Sequence, residues 1–567
     1  MFYATLVCSV AAALLFLSPT CATIVTNDTS VATNQTFDYV IVGAGLAGIT
    51  VGNKLSGAGN SVLIIEAGPD PRWNPAVYNA EERGNLDGYC NWQYPAYDDE
   101  GNTLDWTIDS GMCIGGGTSI NGLMWYRPTE AELNKLETLG NPGWNWESLE
   151  PYMIAAERNH PPDDIQIAQG AGYDPSRHGY SGAINVSFPT PMRIPTVQSR
   201  FKAALPRIFP GLTIGNDLSN RSPTVSASSS WTIWYDPASG KNRRSSAADG
   251  LLWAEDQWRE RLTVLTNHRV DRVIFDKKLA ATGVAFSAGP ERPPSVVHAI
   301  KEVILAAGAL QSAPVLERSG IGSKAVLERA GIQQLVDLPG VGANLNDQPG
   351  TGTSALVREA YWNNTGIIDD RILFAPEISL VGLDEVWGAD ATSYTSALTS
   401  IEGLESRAQA LVSVGAAANI EGAKHILNTT IDLIVNSDQP VAEFIGESYP
   451  TILFAAFWPS MPLSRGHVHI NDSYPFSTPV ITPRLLTDSF DQEIAVAIAR
   501  RSRALFASDV FEYVVENAYY DPPIGPNGTD AEYLEWYKST AYGASHWIGS
   551  TAMMPRDLGG VVDSNLK

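Results

Sequence analysis

Short apolar runs, separated by polar and glycine-rich stretches, set the pattern of the chain from residue 37 onward. Residues 37–42 (FDYVIV) form the first run, and their β-branched character is typical of a buried parallel strand. A helical stretch follows through Leu55, and the run at 61–65 (SVLII) predicts a second strand. This order predicts one short strand–helix–strand unit.

Three glycines with G-x-G-x-x-G spacing, Gly43, Gly45 and Gly48, join the first strand to the helix. The first permits a tight turn, the second lets backbone approach a pyrophosphate, and the third lets helix and strand pack closely. The amides of Leu46 and Ala47 lie at the helix N-terminus, where the helix dipole favours phosphates. The motif predicts a bound dinucleotide and does not by itself separate FAD from NAD.

A carboxylate ends the second strand, because Glu66 follows the apolar run and precedes Ala67. It lies roughly 20 residues beyond the last glycine, where a carboxylate accepts hydrogen bonds from ribose hydroxyls. Many glycine-rich turns bind nothing, and a structural turn is the alternative. The complete order of strand, helix, strand and acidic end favours the dinucleotide.

A second glycine-rich segment, residues 111–122, is followed abruptly by aromatic residues. Its glycines leave no side chain between backbone and ligand, so the chain can run flat along a large planar cofactor. The groups that we expect to contact this cofactor belong to Thr118, Asn121, Gly122, Leu123 and Met124. From the residues alone, an ordinary tight loop is an equal alternative.

Four blocks of the sequence resemble the glucose-methanol-choline family of oxidoreductases, and they occur in the family's order. Met112 in the first block stands where relatives usually carry a basic or polar residue, and Ala313 in the second stands where proline or serine is usual. The resemblance extends over essentially all of the chain from residue 37. The blocks are residues 111–128, 308–322, 340–348 and 545–555.

The resemblance implies an α/β (α+β) fold, with a Rossmann-like FAD-binding domain interleaved with a substrate domain built on an antiparallel sheet. Further strands of the FAD-binding domain are expected at 262–266 and 302–306, and relatives place Val270 against the adenine through its backbone. The expected boundaries are a signal peptide at 1–22, FAD-binding segments at 37–130, 240–350 and 540–567, and substrate-binding segments at 131–239 and 351–539.

For the substrate domain, we expect the sheet to contain residues 432–435, 451–457 and 467–470. Residues 443–448 and 522–529 are instead expected to form surface loops. Within the run at 467–470, two histidines at alternate positions face the same side. We interpret them as structural or surface groups, since no third ligand-type residue accompanies them for a metal site.

The resemblance also implies FAD as the cofactor and His546 as the base that takes the hydroxyl proton while hydride moves to the flavin. An ordinary histidine pKa suits this task, because it lies near working pH. A buried, hydrogen-bonded structural histidine is the alternative. Relatives carry a second catalytic histidine or asparagine further on, but this sequence ends at Lys567 before that position. We therefore expect a fragment or an incorrect gene model.

The predicted function is oxidation of a small-molecule alcohol by an FAD-dependent oxidase or dehydrogenase, with oxygen or another electron acceptor. In glucose-acting relatives, an arginine and an asparagine hold sugar hydroxyls where this chain has Tyr542 and Ala544. Loss of two polar groups favours a less polar alcohol, such as an aromatic or secondary-metabolite hydroxyl. Non-redox cyclisation or dehydration on the same flavoprotein fold, and an inactive relative retained for binding, stay open as alternatives.

The net charge and the first residues of the chain indicate which partners are excluded and where the protein acts. The chain has 38 Lys and Arg against 62 Asp and Glu, a formal net charge of −24. Such a surface repels phosphate backbones and anionic membranes, which argues against nucleic-acid and membrane partners. Residues 1–22 have the apolar core and small final residues of a signal peptide, so we expect secretion. A homodimer stays open.

Glycosylation triplets and cysteines also bear on secretion. Of the 4 cysteines, only Cys90 and Cys113 lie beyond the signal peptide, and either a disulfide or two buried thiols fits the sequence. The N-x-S/T triplets, each weak alone and stronger together, begin at Asn27, Asn34, Asn185, Asn220, Asn363, Asn428, Asn471 and Asn527.

Overall fold

The computed structural model of the protein describes residues 23–83, 88–192, 198–254, 259–361, 376–396, 398–449 and 451–567. The expected signal peptide at 1–22 and the glycosylation triplet at Asn363 lie outside these residues. The described chain is organised around two seven-stranded sheets, called here the first sheet and the second sheet.

The first sheet contains the predicted strand–helix–strand unit. Five strands are mutually parallel, and two antiparallel strands extend one edge. Its parallel centre is covered on both faces, so the run 62–65 is apolar and wholly buried. In spatial order the strands are Ile24–Thr26, Leu262–Leu265, Val62–Ile65, Thr36–Val42, Ser295–Leu305, Ala281–Ser287 and Arg269–Phe275.

The second sheet is antiparallel, and all its strands but Val225–Ser228 come from later parts of the chain than the first sheet. A short strand, Tyr542–Gly543, pairs with the beginning of Pro349–Val357 and brings the last part of the chain to this sheet. The other strands, in spatial order, are Val515–Asp521, Pro349–Val357, Ile452–Pro459, Ala442–Ser448, Glu377–Val381 and Val225–Ser228.

Helices and short hairpins fill the space around the two sheets. The α-helices of the described residues are Leu46–Gly57, Pro75–Tyr78, Glu130–Thr138, Trp146–Ala156, Asp164–Ala168, Gln198–Ile208, Ser312–Arg318, Lys324–Arg329, Leu383–Trp387, Ala391–Thr395, Ile401–Ser413, Ile420–Asn436, Ser489–Phe506 and Asp530–Thr540. The two-stranded pairs are Tyr94–Tyr97 with Thr103–Ile108, Met124–Trp125 with Ser230–Trp231, Glu157–Asn159 with Ile184–Val186, Ile233–Asp236 with Lys241–Arg244, Ile321–Gly322 with Val336–Asp337, and His467–His469 with Val480–Thr482. None of the described helices has the length and apolar character needed to cross a membrane.

The predicted fold class is confirmed, because a parallel α/β sheet and an antiparallel sheet are interleaved along one chain. The strands expected at 262–266 and 451–457 are present, with ends within two residues of those expected. The strand expected at 302–306 is also present, but it begins earlier, at Ser295. The stretch at 522–529 is free of regular structure, as expected.

Three expectations about the second sheet are wrong. Residues 432–435 lie in the helix Ile420–Asn436, because the apolar positions of that segment recur every three or four residues and its first turn is capped by Asn419. Residues 443–448 form a strand of the second sheet, although their glutamates and glycine suggest a loop. Residues 467–469 form a strand that pairs outside that sheet, with Val480–Thr482.

The largest core lies between the second sheet and the helices Gln198–Ile208 and Ser489–Phe506. Phe444 and Phe457 stack there with ring centroids 6.2 Å apart, and Phe457 is fully buried. This core supports one face of the second sheet and leaves the opposite face free to form part of the site.

Phe457→Ala should lower the free energy of unfolding by about 3–5 kcal/mol, because it leaves a cavity in a core that cannot fully collapse. Tyr513, whose side chain is 76% exposed, provides the control, since Tyr513→Ala should change stability by no more than about 0.5 kcal/mol. Denaturant unfolding followed by circular dichroism measures both. Equal stabilities for the two variants would contradict this account of the core.

Candidate active site

A long cleft of about 1360 Å³ runs from the end of the first sheet to the last described segment of the chain. It is lined by the glycine motif, by the glycine-rich loop 111–122, by residues 268–270 and by residues 544–547. The fold therefore brings motifs from both ends of the chain to one cavity.

The first glycine motif has the geometry that its spacing predicts. Gly43 has a φ of +99°, and a Cβ there would lie 2.6 Å from Ala306 O. A Cβ at Gly48 would lie 2.0 Å from Gly43 O, so this glycine permits the close contact of helix and turn. Gly45 is different, because its only close neighbour is the Cα of Gly116 at 4.0 Å and its open side faces the cleft.

Glu66 is buried at the end of its strand, where it is 7% exposed and lines the cleft. Its Oε2 accepts a hydrogen bond from Ala44 N at 2.7 Å, and its Oε1 accepts one from Gly68 N at 2.9 Å. Burial raises the pKa of this carboxyl above its ordinary value, and the backbone amides of Gly68, Ala44 and Ala67 partly oppose the rise. Because a carboxylate accepts about four hydrogen bonds, both oxygens keep capacity for ribose hydroxyls.

The glycine-rich loop is held by Arg244, a residue that the sequence analysis did not identify. Its guanidinium is 3% exposed and donates to Thr118 O at 3.3 Å, to Asn121 O at 3.0 Å and to Asn121 Oδ1 at 2.7 Å. It also donates to Val77 O at 2.9 Å. Burial lowers the pKa of Arg244 to about 10, so the group remains charged at neutral pH. Arg244 thus fixes the loop from behind.

Most of the predicted site residues lie in the cleft. Three do not line it: Gly48 packs on the turn, Leu123 is buried against Trp231, and Met124 packs on an apolar cluster beside the second sheet. Those that line it are Gly43, Gly45, Leu46, Ala47, Glu66, Ala67, Thr118, Asn121, Gly122, Val270 and His546.

The cleft residues fit FAD. Gly117, Gly122 and Gly308 line the cleft, and no protein atom lies within 4 Å of the position that a Cβ would take at any of them. Glycine at these places keeps open a space that the protein itself does not fill. The opening at Gly45 would receive the pyrophosphate, Glu66 the ribose, and the loop 116–122 the ring system.

The part of the cleft beside Val270 contains aromatic and cationic groups that the motifs did not indicate. Arg269 lies over the Trp92 ring, with the guanidinium carbon 5.2 Å from the centroid, and both line the cleft. Trp92 stacks in turn on Tyr94 at 5.4 Å. Isolated aromatic residues form no recognisable sequence motif, so this cluster is evident only in the folded structure.

His546 opens onto the far end of the cleft, where its ring meets Trp458 edge to face with centroids 5.9 Å apart. Its Nδ1 lies 2.6 Å from Gln348 Oε1, and Gln348 Nε2 donates to Ser460 O at 3.1 Å. Since the amide nitrogen is used by a carbonyl, the amide oxygen is the acceptor and Nδ1 carries the proton. His546 Nε2 is left with its lone pair.

Partial removal from water lowers the pKa of His546 below 6.5, its ordinary value. The imidazole is therefore neutral at neutral pH, and Nε2 is ready to accept a proton. The tautomer and the lowered pKa support the same role for this side chain, that of a base.

Asp347 fixes the backbone that carries His546. Its carboxylate is buried and accepts hydrogen bonds from the amides of Ser545 at 2.9 Å, His546 at 3.0 Å and Gln348 at 2.8 Å. Burial raises the pKa of Asp347 to about 7. Asp347 and Gln348 belong to the third family block, and only their place in that block could have identified them from the sequence as site residues.

Cys90 and Cys113 are both buried free thiols in the structure. They pack with Val77, and Cys113 itself belongs to the glycine-rich loop. His467 and His469 stack with centroids 5.2 Å apart, and His469 Nδ1 lies 2.6 Å from Glu317 Oε1. No group of three or more His, Cys, Asp or Glu side chains arranged for a metal ion occurs within the part of the chain that the structure describes.

Residues 37–350 and 462–567 match the amino-terminal and carboxy-terminal family models that are both described as GMC oxidoreductase. Among curated proteins, the chain is 31% identical to the glucose oxidase-like protein fsoC of Humicola fuscoatra, over 94% of this chain and 89% of that protein. It is 31% identical to glucose oxidase 2 of Penicillium expansum, over 96% and 88% of the two chains.

Solved structures of similar fold include an FAD-dependent oxidoreductase from Chaetomium thermophilum, with a TM-score of 0.81 and 25% identity over 94% of this chain and 92% of that one. A fungal aryl-alcohol oxidase gives a TM-score of 0.80 and 25% identity, with the same coverage. Both similarities cover nearly the whole of each chain.

Glu66→Ala should raise the dissociation constant of FAD by about 10- to 100-fold, because the ribose hydroxyls lose charge-assisted acceptors worth about 1.5–3 kcal/mol. Asp38→Ala is the control, since Asp38 binds the Ser61 amide and hydroxyl at the opposite end of the neighbouring strand. Fluorescence titration of the apoprotein with FAD measures both constants. An unchanged constant for Glu66→Ala would remove the ribose assignment.

Proposed function

Because the chain belongs to the GMC oxidoreductase family and is an FAD-dependent oxidoreductase, we propose that it oxidises an alcohol. As a member of this family it takes a small-molecule substrate and passes electrons to an acceptor such as oxygen. The finer statements below concern the alcohol, the base and the place of action.

One observation carries this proposal: His546, with a fixed tautomer, opens onto the end of the cofactor cleft. FAD supplies the hydride acceptor when it is bound. In the proposed reaction, His546 Nε2 accepts the proton of the substrate hydroxyl as the carbon–hydrogen bond is broken. Gln348 keeps the imidazole oriented, and Asp347 holds the backbone of residues 545 and 546.

The proposed alcohol is less polar than a sugar. Tyr542 is paired with the second sheet and Ala544 lines the cleft, so neither position supplies a charged or amide group for several hydroxyls. A hydroxyl-rich substrate would leave polar groups unpaired against such a wall. We therefore favour an aromatic or secondary-metabolite alcohol, and a role in secondary metabolism is part of the proposal.

Secretion is a further part of the proposal. The signal-peptide pattern at 1–22 supports it, together with the accessibility of several glycosylation triplets. Asn185 and Asn220 are half-buried, and the Asn185 amide is hydrogen-bonded to Ser245. The exposed asparagines are Asn27, Asn34, Asn428, Asn471 and Asn527.

His546→Ala should retain FAD but slow anaerobic flavin reduction by an alcohol about 10²–10⁴-fold, the usual size of general-base catalysis. Stopped-flow absorbance of the flavin isolates this step from the choice of electron acceptor. His298→Ala is the control, because His298 is exposed on the first sheet. Reduction of the His546→Ala flavin at the wild-type rate would assign His546 a structural role.

The rate of flavin reduction should rise with pH as His546 loses its proton, with the midpoint of the rise below 6.5. Gln348→Leu removes the acceptor for Nδ1–H, so it should slow reduction while FAD stays bound. Stopped-flow rates measured from pH 5 to 8 test both statements. A midpoint above 6.5, or the same rise in His546→Ala, would contradict the assignment of the base.

Glycosidase treatment of the protein secreted from a eukaryotic host should increase its gel mobility, because N-linked glycans add mass at the exposed triplets. A variant with Asn→Gln at the five exposed asparagines is the control and should show a reduced change. Retention of the protein in the cells, with no mobility change, would count against secretion.

A further inference from the structure

Cys90 and Cys113 lie on two arms of the chain that pair with each other beside the cofactor cleft. Asn91 and Gly111 form an antiparallel bridge between the arms. Next to this bridge, Met112 N donates a hydrogen bond to Cys90 O at 2.7 Å. The two cysteines are therefore carried by adjacent stretches of backbone, although a hairpin separates them in sequence.

The two thiols meet in the interior of the protein. Both side chains are 0% exposed, and with Val77 they form a small buried cluster. Cys90 has a φ of +69°, in the left-handed region that residues other than glycine rarely adopt. A residue in this conformation leaves the regular alternation of a strand, so the side chain of Cys90 can turn toward that of Cys113.

The surroundings of the pair argue against a metal site and against a reactive thiol. The hydrogen bond with Cys90 and burial raise the pKa of the Cys113 thiol. A thiol with a raised pKa forms little thiolate, which is the form that reacts with oxidants and binds metal ions. Among the described residues, no third Cys, His, Asp or Glu completes a metal site with them. Packing alone, or a covalent bond between the two sulfurs, remains.

The arm that carries Cys90 forms one side of the cleft. The residues of this arm that line the cavity are Gly88, Asn91, Trp92 and Gln93. The glycine-rich loop that carries Cys113 is fixed to the first glycine motif, because Gly115 N donates a hydrogen bond to Ala44 O at 2.8 Å. A bond between the two sulfurs would therefore fasten this side of the cleft to the loop and, through the loop, to the glycine motif.

We propose that Cys90 and Cys113 form an intramolecular disulfide that fastens the arm 88–93 to the glycine-rich loop and so helps to retain the cofactor. The oxidant is the disulfide of a small thiol or of a protein: one cysteine displaces the first thiol from it, and the other cysteine displaces the second. One sulfur–sulfur bond forms in the protein and one breaks in the oxidant, which carries away both hydrogens as two thiols. Because both cysteines are buried, the exchange takes place before their cluster closes during folding.

Thiol labelling of the wild-type holoenzyme tests the bond itself. The protein is produced in the endoplasmic reticulum of a eukaryotic host with a leader of that host, so its own signal pattern is not involved. It is unfolded in iodoacetamide with and without earlier reduction and digested with trypsin, and the mass of the peptide 84–135, which contains both cysteines, is measured. The peptide should carry no label without reduction and two labels after it.

Release of FAD at a fixed urea concentration, followed by flavin fluorescence, measures the consequence of the bond. Cys90→Ala, Cys113→Ala and the double variant should each release FAD about 10-fold faster than the wild type, because the opened arm is no longer restrained. A phosphine that reduces disulfides should bring the wild type to the rate of these variants and leave the variants unchanged. Val77→Ala is the matched control: it removes volume from the same cluster but keeps both sulfurs, so its rate should still respond to the phosphine.

Two labels on the wild-type peptide without reduction would overturn the proposal, and so would a wild-type rate of FAD release that the phosphine leaves unchanged. If the cysteine variants do not fold, the labelling decides the question alone. Neither measurement involves a substrate or His546. A protein that contains the bond but whose flavin is reduced by no alcohol would keep this proposal and lose the proposed reaction.

Discussion

The position of the proposed base depends on the burial of one carboxylate. Asp347 accepts backbone amides from its own turn and from residues 545 and 546, and so joins the beginning of a second-sheet strand to the last block of the chain. The three amides partly offset the cost of burying its charge. A Cβ at Gly543 would lie 2.6 Å from Asp347 Oδ2, so even the neighbouring strand is constrained by this contact.

Local sequence patterns correctly predicted the elements whose residues are continuous in sequence. The strand–helix–strand unit at 36–65 is continuous in sequence, and its glycines have one geometric use each. The strand 442–448 was missed because Glu443 and Glu447 are polar, although they alternate with residues that face the large core, among them Phe444. The helix 420–436 was missed because the short run 432–435, with three apolar residues, was considered without its neighbours. In both places tertiary packing assigns the burial.

The residues of the candidate site likewise fall into those that local sequence patterns predict and those that only the fold brings together. The glycines and Glu66 follow from spacing, since the chemistry of a dinucleotide requires them at fixed intervals. Arg244 and Gln348 lie far in sequence from the groups that they hold, and no local pattern joins them. Such residues become recognisable only in the folded protein, where Arg244 lies against Asn121 and Gln348 lies against His546.

The cleft also has a consequence for how the protein matures. Its glycine motif and His546 lie near opposite ends of the described chain, yet they line one cavity. Contacts between such distant segments form only after a long loop has closed, and loop closure opposes folding until the contacts are made. Flavin binding therefore requires the whole chain to be folded. A molecule that is yellow and whose flavin can be reduced has both distant segments in their native positions.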